Sequence, residues 1–228
     1  MIESAVRTWR VELHSHTCFS EDSLVRPEKL LAHCKKIGID KIAITDHNAI
    51  EGALIAQQLA PELVIVGEEI ETTGGELLGY FMSELVPAGL EPMEAIARLK
   101  TQGAVISVAH PFDTTRSHHW NHDSLAAIAP HIDAIETFNA RCLGDGPNNT
   151  AAIFAREHDL LQTAGSDAHS LWEIGRAVLL MADFQDAAGF RAALKNATQE
   201  VSLSPFYVHL FSRYAVLRKN LKRIFNEA

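Results

Sequence analysis

Two histidines stand two residues apart in Val11-Glu12-Leu13-His14-Ser15-His16, and in an extended strand that spacing sends both imidazoles to one side. Asp22 follows in the polar loop Cys18-Phe19-Ser20-Glu21-Asp22, which can turn its carboxylate back over the same opening. Further apolar runs end in groups of the same kind: Ile44-Thr45-Asp46-His47-Asn48, Val66-Gly67-Glu68-Glu69, Val108-Ala109-His110-Pro111 and Thr163-Ala164-Gly165-Ser166-Asp167-Ala168-His169. Taken singly, each of these histidines reads as an ordinary hydrogen-bonded loop residue. Taken together, unpaired carboxylates and imidazoles around one mouth would be costly, and divalent cations neutralise that charge while accepting mixed N and O ligands. Adjacent divalent ions acidify a shared water to hydroxide near neutral pH and polarise phosphoryl oxygens, so hydrolysis of a phosphoester is the chemistry such a cluster supports. Covalent catalysis lacks a Cys-His pair or a Gly-x-Ser-x-Gly elbow, and no Walker-type glycine-rich loop points to nucleoside triphosphate turnover.

These groups sit where strands are expected to end. Val11–Leu13, Lys41–Ile44, Leu63–Val66, Leu77–Phe81, Ala104–Val108, Ala134–Phe138 and Leu161–Ala164 read as strands. Helical patterns lie between most of them: Glu28–Lys36 opened by Pro27 and closed by Gly38, Met93–Thr101 opened by Pro92 and closed by Gly103, and Asn149–His158. Repeated βα units predict a mostly parallel sheet closed into an α/β barrel, with ligand groups gathered where strands pass into loops. A C-terminal amphipathic helix is expected over 205–228, with Leu210, Tyr214, Leu217, Leu221 and Ile224 at helical spacing and cations at Arg213, Arg218, Lys219, Lys222 and Arg223. Packing on the barrel exterior is the expectation for it, with a membrane-surface or partner helix as the alternative reading.

Composition bounds the possibilities. At 228 residues, 47% hydrophobic and 21% charged, the chain reads as one globular domain over 1–228 without disordered tracts. The segment Met1–Arg7 lacks the charged-then-apolar order of a secretory signal and no long apolar run follows, so a cytoplasmic location without membrane association is expected. Cys18, Cys34 and Cys142 are odd in number and show no CxxC spacing, which argues against a disulfide framework or zinc ribbon. A net charge of −9 opposes diffuse attraction to nucleic-acid backbones, so a small anionic substrate is favoured over a long polymer. Oligomeric state is not legible.

In this order, His-Ser-His, Thr-Asp-His, Gly-Glu-Glu, Ala-His-Pro and Gly-Ser-Asp-Ala-His resemble the motifs of the PHP (polymerase and histidinol phosphatase) superfamily, over about residues 11–180. The resemblance implies a distorted seven-stranded (β/α)7 barrel, TIM-like, and a stand-alone metal-dependent phosphoesterase using two or three divalent ions such as Mn, Zn or Fe. It implies one metal held by His14, His16, Glu69 and Asp167, a second bridged by Glu69 and met by His110, and a third at Asp22, His47 and His169. Hydroxide bound between metals would be held by Glu69 and Asp167. Many relatives carry a further histidine before the Leu-Gly-Tyr stretch, where this chain has Glu76. Glu76 either completes the second site, tilting it towards Mn²⁺ or Fe²⁺, or stays solvated.

Around this core lie candidates for other roles. Glu68 and Asp46 read as partners that orient ligands or shuttle a proton, and His119 as a second candidate shuttle towards a leaving oxygen. Arg116 and Arg141 offer guanidinium groups for substrate phosphate, and Trp120 a ring for stacking on a base. The expected substrate is a small phosphate monoester, nucleotide-like. Exonuclease action on short oligonucleotides, a non-catalytic metal-stabilised interaction domain, and amide hydrolysis by the same metal chemistry are the alternatives.

Overall fold

The structure is a computed structural model that describes residues 8–226, so the expectation placed on Met1–Arg7 lies outside the described residues. Chain order is β1 (Trp9–Glu12), α1 (Pro27–Ile37), β2 (Lys41–Ile44), α2 (Glu51–Leu59), β3 (Val64–Glu71), β4 (Glu76–Tyr80), α3 (Pro92–Thr101), β5 (Val105–Val108), α4 (His122–Ile128), β6 (Ala134–Asn139), α5 (Gly146–Glu157), β7 (Leu161–Gly165), β8 (Ala177–Met181), α6 (Ala187–Leu194), β9 (Thr198–Val201) and α7 (Val208–Asn226). The helices begin and end for local reasons. Proline opens α1 and α3, where its missing N–H costs nothing, and Gly38 closes α1 in a left-handed conformation.

Side by side, the strands run β7-β6-β5-β4-β3-β2-β1-β8-β9. Each predicted strand is present, within a few residues of its expected bounds except at the C-terminal end of β3, but β8 and β9 add to the seven expected. Pairing is parallel at β1–β2, β2–β3, β5–β6 and β6–β7, and antiparallel at β3–β4, β4–β5, β1–β8 and β8–β9. The mostly parallel expectation is therefore corrected. Glu71 pairs with Glu76 across a turn too short for the crossover that a parallel neighbour needs. Beyond the ends of β1 and β7 the sheet rolls shut: His16 N donates to Ala168 O at 2.9 Å and Ala168 N to His14 O at 3.2 Å.

A period of two divides the core. Ile42, Ile44, Val64, Val66, Ile106 and Val108 pack with helix residues such as Leu30, Cys34, Ile96, Leu99, Leu125 and Phe154. Their neighbours Ala43, Ile65 and Val105 join Val11, Leu13, Leu78, Tyr80, Ala134 and Ala164 in a second cluster that fills the barrel. Polar residues follow at the strand ends, above this apolar plug.

α7 departs from expectation. Its Val208 and Ala215 are buried, Arg141 Nη2 donates to Ser212 Oγ at 2.6 Å, and Lys219 Nζ donates to Cys18 O at 2.8 Å. The helix thus lies across the loops at the barrel mouth rather than on the exterior wall. Leu210, Tyr214, Leu217, Leu221 and Ile224 have the predicted helical spacing, yet that stripe faces solvent. Hydrophobic spacing located the helix but misassigned its docked face.

The barrel closes tightly enough to require glycine at one strand end. A Cβ on Gly165 would collide with His14 Cβ and Glu136 Oε1. Gly165→Ala is expected to cost about 1–3 kcal/mol through overpacking and to lower the thermal unfolding midpoint; an unchanged midpoint would show that His14 can yield.

Candidate metal centre

Strand ends deliver the ligand atoms, and the backbone is bent to aim them. His110 (φ 25°) and Asp167 (φ 52°) both adopt left-handed backbone just after β5 and β7, a conformation costing on the order of 1–3 kcal/mol for a residue with a Cβ. Three groups of converging atoms result. In the first, His14 Nε2 lies 3.1 Å from Glu69 Oε2 and 3.8 Å from Asp167 Oδ1, while His16 Nε2 lies 3.4 and 3.3 Å from the same two oxygens. Such spacings suit donors about 2.0–2.2 Å from a shared ion, which sit roughly 3.4 Å apart in a tetrahedron.

In the second group, His110 Nε2 lies 2.9 Å from Glu69 Oε1 and 3.5 Å from Glu76 Oε2. The third joins Asp22 Oδ2 to His169 Nε2 at 2.6 Å and to His47 Nε2 at 3.7 Å, while His47 Nδ1 reaches back to Glu69 Oε2 at 3.1 Å. Despite these distances, His16 Nε2, Asp22 Oδ1, His47 Nδ1, Asp167 Oδ1 and His169 Nε2 are buried and make no directed hydrogen bond. Atoms that approach one another without bonding, all aimed at common points, are what a set of metal ligands presents when described without its ions. The donor set fits divalent cations, and the triads His14–His16–Glu69, Glu69–Glu76–His110 and His16–His47–His169 each hold their donor atoms within 4.8 Å of one another.

Outer partners fix the imidazoles. Glu136 Oε1 accepts from His14 Nδ1 at 3.0 Å, freeing Nε2 for the cluster, and Glu136 Oε2 accepts from His110 N and Asn139 Nδ2, both at 2.9 Å. His16 Nδ1 lies 3.1 Å from Ser20 Oγ, which donates to Asp46 Oδ1 at 3.0 Å. His169 Nδ1 is 2.8 Å from Asp167 O, and His169 N donates to Glu173 Oε2 at 3.2 Å. For His14 and His16 these partners place the ring hydrogen on Nδ1 and leave Nε2 for the cluster.

Electrostatics are set by the crowding. Burial opposes ionisation of Asp167, but Arg116 and His14 beside it hold its carboxyl well below the usual range; burial likewise opposes Glu69, which His14 and His47 hold down. Burial and the charge of Glu69 push Glu76 up. Burial and the neighbouring His169 and His47 push His16 down to about 3, so its imidazole is neutral and its lone pair available at neutral pH.

The structure brings His14, His16, Asp22, His47, Glu69, Glu76, His110, Asp167 and His169 together at one mouth. It reassigns several of the others. Asp46 spends its carboxylate on Thr17 N (2.5 Å), Thr17 Oγ1 (2.6 Å) and Ser20, which suits an orienting role and not a shuttle. Glu68 alternates to the other face of β3, where it accepts from Val86 N at 3.0 Å and where burial pushes its carboxyl up to about 8. His119 is exposed and bonded to Arg116 O, while His118 lines the cleft instead. Trp120 is buried over Gly75 with Nε1 donating to Glu76 O at 3.0 Å, so it steadies Glu76 and cannot stack on a base.

The two arginines differ. Arg141 is buried, with Nη1 2.5 Å from His169 Nδ1 and Nε 3.3 Å from Glu173 Oε1, so it braces His169. Arg116 Nη2 donates to Asp167 Oδ2 at 2.5 Å and its side chain stays 20% exposed, leaving it a free edge at the cleft. Sequence reasoning missed Glu136, Glu173, Ser20 and the cleft-facing Arg213. Glu136 stood visibly before the Asn139-Ala140-Arg141 run, but a glutamate inside an apolar strand carries no spacing signal.

Family profiles match in two places: the PHP domain over residues 12–133 and the PHP-associated region over residues 145–198. An uncharacterised protein of Methanocaldococcus jannaschii is 36% identical over 173 residues, 75% of this chain and 69% of the relative. A two-domain Bacteroides vulgatus protein containing a predicted PHP-like metal-dependent phosphoesterase superposes with a TM-score of 0.71 at 22% identity, covering 86% of this chain and 65% of that one. A lesion-specific endonuclease from Pyrococcus furiosus superposes at 0.61 with 15% identity, covering 84% of this chain and 57% of the endonuclease. The chain thus spans under two thirds of the length of both structural neighbours.

If Glu136 orients His14 and His110 for ions, Glu136→Ala is expected to weaken divalent-metal affinity by roughly 10- to 100-fold. Isothermal titration with Mn²⁺ or Zn²⁺ measures it, and unaltered affinity would remove Glu136 from the site's support.

Proposed function

The chain belongs to the PHP family, and on that premise we propose that it is a metal-dependent phosphoesterase that hydrolyses a small, nucleotide-like phosphate monoester. The observation that carries the reading is a cleft of about 860 Å³ whose floor exposes Asp22, His47 and Glu76 and whose walls bear Arg116, Arg213 and Arg223. Metal ligands facing guanidinium groups across one cavity suit a phosphoryl group more than a peptide carbonyl. The volume lies within the range of roughly 300–1,000 Å³ typical of small-molecule pockets, which favours a compact substrate.

His14, His16, Glu69 and Asp167 would hold one ion, Glu69, Glu76 and His110 a second, and Asp22, His47 and His169 a third. Divalent cations there supply Lewis acidity and lower the pKa of water. The protein's own groups do the rest. Asp167 is divided between two tasks: Oδ2 takes Arg116 and Asn139, and Oδ1 is left for the cluster. That anchoring sets Arg116 beside the ligands, where its exposed edge can meet a phosphoryl oxygen. Arg213 projects from α7 into the same cleft and makes no ion pair or hydrogen bond through its guanidinium among the described residues. Phe19 also lines the cleft and is 40% exposed, which offers a base the ring that Trp120 does not.

Cleavage of short oligonucleotides is the second reading, favoured by the open cleft and by the likeness to an endonuclease fold. Metal-reconstituted protein assayed side by side on nucleoside monophosphates, nucleoside bisphosphates, histidinol phosphate and short RNA separates the two. Release of inorganic phosphate from the small esters is expected, and preferential trimming of oligomers would overturn the first reading. Glu69→Ala and Asp167→Asn should abolish turnover together with metal uptake. Arg213→Ala should raise KM roughly ten- to hundredfold with little change in kcat, the loss of one or two charge-assisted hydrogen bonds. Arg141→Ala should instead lower metal affinity, because the arginine contacts His169.

A further inference from the structure

Of the three candidate ion sites, the one formed by Asp22, His47 and His169 depends on a loop. Asp22 sits in the turns between Cys18 and Ser23, anchored by backbone bonds from Cys18 N to Val25 O (2.7 Å) and Ser20 N to Thr17 O (3.1 Å). Cys18 O and Ser20 O both converge on Lys219 Nζ of α7, the former at 2.8 Å. One turn further along the helix, both Nη atoms of Arg223 lie 3.2 Å from Glu21 Oε1. At the other end of α7, Ser212 Oγ accepts from Arg141, whose Nη1 reaches His169 Nδ1. The helix therefore grips the loop before Asp22 and, through Arg141, the back of His169.

We propose that Lys219 is a positioning residue for the Asp22–His47–His169 site, and that docking of α7 governs whether that site fills with a divalent cation. The inference rests on reading the cluster as a centre for several ions. A tetrahedral ammonium satisfies two carbonyls two residues apart, those of Cys18 and Ser20, in a way that fixes the orientation of the peptide planes leading into Asp22. It does so without pairing with the Asp22 carboxylate, whose Oδ1 stays buried and unpartnered and whose Oδ2 faces His169 Nε2 at 2.6 Å. The positive charge beside the loop holds the loop and leaves the ligand oxygens to the ion. Without it, two part-buried carbonyls lose their donor and Asp22 must be ordered at the expense of metal-binding free energy. The first site, built from His14, His16, Glu69 and Asp167 on strand ends, has no such dependence.

Equilibrium dialysis against Mn²⁺ with elemental analysis tests this on full-length wild type, Lys219→Met, Lys219→Arg, Arg223→Gln and the reference variant Asp22→Ala, with unfolding midpoints recorded in chelator. Lys219→Met is expected to weaken one equivalent of bound ion roughly 10- to 100-fold, as Asp22→Ala does, while the other equivalents and the chelated midpoint hold. Lys219→Arg should restore the lost equivalent, and Arg223→Gln should shift it in the same direction by less. Unchanged uptake in Lys219→Met, equal loss of every equivalent, or a wild type that binds no more ion than Asp22→Ala overturns the inference alone. Wild-type protein that takes up no divalent ion overturns the functional reading with it.

Discussion

Mutual repulsion among buried carboxylates is the constraint on which the rest of the structure depends. Glu69, Glu76, Asp167 and Asp22 converge within one mouth, three of them fully or almost fully shielded from water. Like charges so placed cannot all ionise unless positive charge is supplied, and the five neighbouring imidazoles are themselves in conflict, His16 pushed towards neutrality while His47 is raised to about 9 by Glu69 and Asp22 against its burial. Divalent cations settle both conflicts at once, since they neutralise the carboxylates and need the imidazoles uncharged. Left-handed backbone at His110 and Asp167 is consistent with this: local strain is tolerated where the surroundings demand a particular aim.

Topology and chemistry prove inseparable. The antiparallel hairpin of β3 and β4, with Glu71 opposite Glu76, is what brings Glu76 to the same mouth as Glu69 and into one candidate ligand group with it; a parallel β4 would have entered from the other end of the barrel. Closure between Ser15 and Ala168 sets His14 and His16 against Asp167 and His169, so the bonds that shut the barrel also bring these candidate ligands together. Fold and ligand set are thus one arrangement. A change that loosened the closure would displace these imidazoles and carboxylates together.

Much of this was legible because strand ends label themselves. Short apolar runs broken by His, Asp or Glu marked the seven predicted strands and most of the candidate ligands, while Glu76 and the grouping of ligands into sites came from the resemblance to the PHP superfamily. What sequence withheld was whatever depends on pairing partners. β9 is a four-residue exposed edge, Thr198–Val201, with no alternation to read, and β8 pairs antiparallel with β1 in a register no local pattern announces. Glu136 acts through a hydrogen bond to His14, far along the chain, Glu173 meets His169 N, four residues before it, only across a turn, and Trp120 is indistinguishable from a loop aromatic until Gly75 is seen beneath it. For α7, hydrophobic spacing gave the helix but not its orientation, because the polar side is the one held by Lys219 and Ser212.

That last failure bears on the argument from net charge. A chain at −9 repels polyanions at a distance, but screening confines that effect to about 8–10 Å at ordinary ionic strength, whereas the cleft is governed by the groups that line it. There the balance reverses once cations fill the ligand cluster: Arg116, Arg213 and Arg223 stand within one cavity, and two of the three come from α7. If the substrate is the proposed short phosphoester, bulk acidity and the cleft arginines would act at different stages, the first discouraging long phosphate backbones and the second retaining an ester that has entered. On the proposed reading, preference for a small substrate would follow from this separation of ranges, and α7, which carries Arg213 and Arg223, would be the element that creates it.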